Sequence, residues 1–331
     1  MYSPQSKAKH EKIYSGLKKK FSTVKKGEDY RAHSGKVHSI SWNSTGNRIA
    51  SCSSDKTVSV FDFDGTKLSR SPTCLRGHTD SVDQVAWCGK NSDLLVSASA
   101  DKSIRLWDCR NLSTKISPVT IATKGENINL CWNPTNTNQV LVGNKEDLIS
   151  VFDIRSQKSI IDQQFRFEVN EMCFNNAGNL IFLTTGNGTI LVQSFPEMKL
   201  QSTIKAHSSS AICVKMSPDG KYFATGGADA VVCLFDYSTF ICISAVSRLD
   251  WVIRVIGFNH DSSMLAAGSE DTFIDVSYVP TCSGIGQVPL DNPPANALCW
   301  HPRANVLAYG ADEKERDREY GAIKLVNVDA A

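Results

Sequence analysis

No two cysteines are spaced as CxxC, no apolar run nears the ~20 residues that a membrane helix needs, and neither sign of charge prevails. Lys and Arg number 36 against 34 Asp and Glu in 331 residues. Near-neutrality removes the electrostatic ground for the whole chain to coat nucleic acid, although local patches can still do so. The polar, Lys-rich start lacks the apolar stretch of a secretory signal, so an intracellular, soluble protein with no membrane contact is expected. The 11 cysteines are scattered singly from Cys52 to Cys299, mostly inside apolar runs. An odd count without clustered spacing reads as reduced, buried thiols in a cytosolic or nuclear compartment, not as disulfides or a zinc site.

Motifs that carry chemistry are also missing. GxSxG, HExxH and a Walker loop do not occur, and Gly186-Asn-Gly188 and Gly284-Ile-Gly286 are too short to cradle a phosphate. Without a metal-ligand cluster or cofactor motif, no cofactor and no small-molecule substrate are expected.

What the chain has instead is repetition. The best copy runs from Arg76 to Asp108, where Val82–Trp87, Leu94–Ser99 and Ile104–Trp107 read as short strands separated by turn residues. Such a meander buries too little alone, so units of this kind must stack. Copies follow at a period of about 42 residues, the size of a β-propeller blade. Seven can be traced, the first from Arg31 and the last from Ala297 to Val328. The fold expected is all-β, a single seven-bladed propeller over residues 28–329 preceded by a flexible basic tail over residues 1–27. The chain ends at the third strand of the seventh unit. Residues 28–32 supply a spare strand that can complete that blade and close the ring. The mixed-charge run Asp312–Glu319 reads as a solvated loop.

At His33, His78 and His207 the sequence resembles the WD-repeat family, and the resemblance covers nearly everything from Tyr30 onward. It implies a hydrogen-bonded set in each complete blade: His78, Ser97, Asp101 and Trp107 in the second, His33, Ser51 and Asp55 in the first, and His207, Thr225 and Asp229 in the fifth. Phe61 and Phe235 stand where the first and fifth sets would have Trp, which removes an indole donor. A Ser, a His and an Asp together invite a hydrolase reading. Their recurrence in three blades argues for a structural device and against an enzyme.

The resemblance also places the loop before each first strand on one face of the ring. Units three, four and six lack His there. They carry Lys124, Glu126 and Asn127, then Phe167, Glu168, Asn170 and Glu171, then Arg248, Asp250 and Trp251. One reading makes these a partner-docking face with Trp251, Phe167 and Arg248 as anchors. The other has them capping their own degenerate blades.

Strings such as RAHSGKVHSISW, TKGENINLCWNP, FEVNE, TTGNGTI, SRLDW and SEDTFIDV resemble, more narrowly, the WD-repeat subunits of THO complexes, over about residues 28 to 328. This implies a nuclear, non-enzymatic scaffold in the THO and TREX transcription–export assembly, acting in mRNA packaging and export. Its partners would be other THO subunits, the large helical scaffold subunit first, and indirectly a DEAD-box helicase and mRNA. A rival reading starts from Trp107-Asp-Cys-Arg110 and Phe152-Asp-Ile-Arg155, which fit the WDxR pattern of cullin–RING ubiquitin-ligase substrate receptors, although WD followed by Arg is common at blade ends. In the tail, Lys18, Lys19, Lys20, Lys25 and Lys26 read either as a solvated terminus or as a nuclear-import or RNA-backbone contact.

Overall fold

The computed structural model describes residues 4–22, 24, 27–110, 119–292, 294–315 and 318–329. Helix α1 (Pro4–Phe21) and strand β1 (Glu28–His33) come first. Blade 1 is β2 (Val37–Trp42), β3 (Arg48–Ser53), β4 (Thr57–Asp62) and β5 (Thr73–Arg76). Blade 2 is β6 (Val82–Trp87), β7 (Leu94–Ser99), β8 (Ser103–Asp108) and β9 (Val119–Ala122), and blade 3 is β10 (Asn127–Trp132), β11 (Gln139–Asn144), β12 (Leu148–Asp153) and β13 (Lys158–Gln164). Blade 4 holds β14 (Val169–Phe174), β15 (Leu180–Thr185), β16 (Thr189–Ser194) and β17 (Leu200–Lys205), and blade 5 holds β18 (Ala211–Met216), β19 (Tyr222–Gly227), β20 (Val232–Asp236) and β21 (Cys242–Val246). Blade 6 holds β22 (Val255–Phe258), β23 (Met264–Gly268), β24 (Phe273–Tyr278) and β25 (Ser283–Pro289). Blade 7 is β26 (Ala297–Trp300), β27 (Val306–Glu315), β28 (Arg318–Asn327) and, from the other end of the chain, β1.

The innermost strands touch in the cyclic order β2, β6, β10, β14, β18, β22, β26 and back to β2, which makes a closed seven-bladed propeller. Burial explains the sequence pattern. Second strands such as Arg48–Ser53 and Leu94–Ser99 are buried on both faces between neighbouring blades and run as continuous small and apolar residues, whereas outer strands such as Lys158–Gln164 alternate. The turns after the second strands of blades 1, 2, 3 and 5 are tight, with Lys56, Lys102, Asp147 and Ala230 at positive φ. Blade 4 uses Gly188 there, and a Cβ on it would stand 2.4 Å from the His207 carbonyl oxygen.

The ring closes through β1, which pairs antiparallel with β28 from Glu28 opposite Leu325 to His33 opposite Gly321. Side chains reinforce the seam. His301 donates from Nε2 to the Gly46 carbonyl at 2.9 Å, and its ring meets Trp42 edge-on with centroids 4.9 Å apart. Elsewhere the terminal Trp of an inner strand ties neighbouring blades: Trp87, Trp132 and Trp300 each donate at 3.0 Å to the carbonyls of Ser41, Ala86 and Gly257.

Two expectations are corrected here. The basic segment does lie outside the seven sheets as a short terminal piece, but Pro4–Phe21 is an 18-residue helix, not a loose chain. Its Tyr14, Leu17 and buried Phe21 recur at helical spacing and pack on blade 6, covering the free edge of β25. Lys18, Lys19 and Lys20 are exposed, and Lys25 and Lys26 lie outside the described residues. The run Asp312–Glu319 is not a loop either. β27 and β28 continue in register from Asp312 opposite Gly321 to Glu315 opposite Arg318, a two-stranded ribbon rising beyond the blade. At its base Lys324 is buried and meets the carboxylates of Glu313 (2.5 Å) and Asp291 (3.4 Å), which anchors the ribbon.

Candidate partner-binding face

Every inner strand starts at one face of the ring, and each second strand returns to it. The three His sets form there. In blade 2 a continuous relay crosses the sheet: Trp107 Nε1 donates to Ser97 Oγ (2.9 Å), the Ser97 hydroxyl meets His78 Nε2 (2.7 Å), and His78 Nδ1 meets Asp101 Oδ2 (2.8 Å). Asp101 also accepts from the Thr79 and Ser103 backbone amides. In blade 1 His33 lies 2.7 Å from Ser51 Oγ and 3.1 Å from Asp55 Oδ2, and in blade 5 His207 lies 2.8 Å from Thr225 and 3.0 Å from Asp229. Phe61 and Phe235 give no donor to these two sets.

The electrostatics are those of fixed structure. Burial alone would raise the carboxyls of Asp55, Asp101 and Asp229, but hydrogen bonds from their histidines, hydroxyls and backbone amides outweigh it and hold all three below the usual carboxylate range. His207 is pushed down by burial against the pull of Asp229 and stays neutral. With Asp229 ionised and His207 neutral, His207 Nδ1–H donates to the carboxylate and Nε2 accepts from the Thr225 hydroxyl. The hydroxyl residues of the three sets, Ser51, Ser97 and Thr225, are fully buried.

Where His is missing, other groups bond at the blade head, through partners that sequence reasoning did not name. Asn127 is buried, and its amide donates to the Ser99 and Ser103 carbonyls and to Thr123 Oγ1, which sews blade 3 to blade 2. In blade 6 Asp271 keeps the turn-aspartate role: it accepts from Ser269 Oγ (2.6 Å) and from the Asp250 backbone amide (3.1 Å). Arg248 grips the buried Asp275 with both Nε (2.9 Å) and Nη2 (2.6 Å) and donates from Nη1 to the Cys282 carbonyl (3.0 Å). Lys124 pairs with Asp162 at 2.8 Å and Glu126 with Lys145 at 2.7 Å. Asn170 donates to Ser210 and the Ala211 carbonyl.

Glu171 faces the central channel, about 480 Å³ in volume, where it accepts from Lys215 Nζ (2.6 Å) and the Val214 amide (2.9 Å). Burial would lower the Lys215 ammonium, but Glu171 beside it keeps it charged. Lys215 escaped sequence reasoning. Its signal was a charged residue on a channel-lining inner strand, with a carboxylate on the inner strand one unit earlier but two positions out of register, since Cys173 is the residue that matches Lys215.

Four candidates remain turned outward: Phe167 (39% exposed, against Phe165 at 5.3 Å), Glu168, Asp250 and Trp251 (56% exposed). No ion pair among the described residues reaches either carboxylate. On the opposite face, the Arg110 guanidinium is folded onto Asp108, with Nε at 3.0 Å, and Arg155 is tied through its backbone amide to Asp153 (2.8 Å). All 11 cysteines are free thiols, and burial pushes Cys109 and Cys131 up to about 12. No helix of the described residues is long and apolar enough to cross a membrane.

Seven four-stranded blades, with a His, a Ser or Thr and an Asp joined at the head of three of them, define a WD-repeat β-propeller. The fold alone is shared with the propeller domain of Cps50 (Swd1) from Myceliophteria thermophila, at a TM-score of 0.76 and 15% identity over 92% of this chain and 99% of that one. The family described as the THOC3 beta-propeller domain matches residues 33–310, and the chain belongs to it. It is 41% identical to THO complex subunit 3 of Arabidopsis thaliana over 287 residues, 86% of this chain and 90% of that protein. It is 28% identical to the WD repeat-containing protein AAC3 of Dictyostelium discoideum over 88% of this chain and 65% of that protein.

Proposed function

We propose that this chain is a non-enzymatic scaffold subunit of a nuclear THO complex, acting in mRNA packaging and export coupled to transcription through protein–protein contacts. The observation that carries this reading is membership of the THOC3 propeller family across nearly the whole ring, joined to a 41% identical relative that is itself a THO complex subunit. The site chemistry agrees with it. The Ser, His and Asp residues that might suggest hydrolysis are spent three times over in holding blades. The groups left outward on the same face, Phe167, Glu168, Asp250 and Trp251, are aromatic anchors and unpaired carboxylates suited to a protein surface. Direct partners are other THO subunits, the large helical one first; the DEAD-box helicase and mRNA are reached through them. With Lys20 bonded to Asp329 at 2.6 Å and α1 seated on blade 6, the tail has a structural use that needs no RNA.

The test is recovery of THO subunits on the tagged chain. Glu168→Lys combined with Trp251→Ala alters only exposed groups, so the thermal midpoint is expected to hold while recovery falls about tenfold. Unchanged recovery removes this face from the interface.

A further inference from the structure

Large apolar side chains stand exposed at seven described positions, and four of them share one region. Ile160 (48%) lies on β13, Leu200 (57%) on β17, Ile241 (62%) at the entry to β21 and Ile243 (47%) on it. These are the outer strands of blades 3, 4 and 5, three neighbours in the ring. The outer strands β1, β5 and β9 carry none among the described residues, and the edge of blade 6 is covered by α1. Single exposed aliphatics are ordinary, but a run of them along consecutive blade edges is a patch that invites a cover.

The chain shows how such an edge is covered. On blade 6 an amphipathic helix lies against β25 with Tyr14, Leu17 and Phe21 inward, and Tyr14 Oη donates to the Gly284 carbonyl at 3.1 Å. Among the described residues blades 3 to 5 have no such helix, and the rim of blades 3 and 4 is basic. Lys158, Lys199 and Lys205 are exposed there without an ion pair among the described residues; Glu197 is unpaired as well, and Asp162 is taken by Lys124. The β21 strand and its lead-in, Ser238 to Val246, carry no charge at all. Lysines on blade edges also discourage an added strand.

We infer that the outer edges of blades 3 to 5 are a docking surface for an amphipathic helical partner whose apolar side is flanked by carboxylates. The surface is distinct from the face bearing Trp251, and it rests on the THO reading only for the identity of the partner. Apolar contact supplies the affinity, and the lysine rim sets the orientation and makes binding sensitive to salt.

The experiment uses the full chain co-expressed with the other THO subunits of its organism. Leu200→Asp with Ile243→Asp, and separately Lys158→Glu with Lys199→Glu, are each expected to weaken incorporation about tenfold or more. Hydrogen exchange on the unmutated chain supplies a readout that does not depend on the variants folding: strands β13, β17 and β21 are expected to gain protection on assembly. Normal incorporation of both folded variants, or unchanged exchange in those strands within an intact assembly, overturns the surface. Loss of self-association by the free chain in place of lost incorporation reassigns the surface to a contact between copies and overturns the inference too. If the unmutated chain does not assemble with THO subunits at all, the THO reading fails first, and the surface loses its partner with it.

Discussion

At the scale of single residues, stability is concentrated in the relays at the blade heads. His78→Ala would leave Asp101 and the Ser97 hydroxyl buried without their partner, at a cost of about 1–3 kcal/mol. Trp107→Phe removes one donor and should bring blade 2 to the condition of blades 1 and 5, a loss of about 1 kcal/mol. Denaturant titration of both variants checks the order; a Trp107→Phe loss equal to that of His78→Ala would show that the indole, not the imidazole, carries the set. The pH dependence follows from the signs. His207 has a lowered folded pKa, so its contribution is whole above about pH 6.5 and drains as pH falls through the folded value. Asp55, Asp101 and Asp229 are lowered as well, so theirs is whole above about pH 4 and is lost below it. Asp29 and Asp312 are raised by burial and act in the opposite sense, easing part of the acid loss. The thermal midpoint should therefore be flat from pH 7 to 8, slope gently below about 6.5 and fall steeply below about 4. A midpoint that rises on acidification through pH 6 contradicts this assignment of charge. The His sets were legible in the sequence because one pattern recurs at His33, His78 and His207. Their replacements in blades 3 and 6 were not, because an Asn bonding backbone carbonyls or a backbone amide standing in for imidazole leaves no repeat to read.

At the scale of elements, both termini hold the ring. Removing residues 1–32 deletes β1 and leaves β28 with an open edge, so the thermal midpoint should fall markedly. Removing residues 1–26 spares β1 but strips α1 from blade 6, and a smaller loss is expected, dominated by Phe21. Phe21→Ala alone tests that share, with about 3 kcal/mol as the expected scale for a buried aromatic. Equal midpoints for the two deletions would mean that β1 does not close the ring. The strand was readable because the seventh unit lacks a fourth one. The helix was hidden by its composition: lysines dominate the segment, and its apolar stripe is only Tyr14, Leu17 and Phe21. Gly286 completes the seat from 265 positions away, where a Cβ would come within 2.5 Å of Phe21 Cβ. The β27–β28 ribbon was hidden for a related reason, since a charged run reads as a loop until Lys324 is seen gathering Glu313 and Asp291 beneath it.

At the scale of the whole molecule, the ring offers two unlike surfaces, a face marked by Phe167 and Trp251 and an apolar, lysine-rimmed flank on blades 3 to 5. Propeller architecture was legible from the period alone, because each unit repeats the same strand and turn pattern. The candidate face was legible only in part. Of its ten residues, Lys124, Glu126, Asn127, Asn170, Glu171 and Arg248 bond within the propeller, and a sequence does not reveal that Asp275 or Lys215 waits opposite. The flank was not legible at all, since Ile160, Leu200 and Ile243 look like any strand aliphatics until the ring shows which strands lie outermost. The central claim is that this propeller works by holding THO subunits together. Its most direct test is purification of the tagged chain from nuclear extract with quantitative mass spectrometry, in parallel with a variant carrying Arg110→Ala and Arg155→Ala. Near-stoichiometric large THO subunits, equal in both samples, are the predicted result. A cullin adaptor recovered by the unmutated chain and lost with the two arginines, with THO subunits absent, would contradict it.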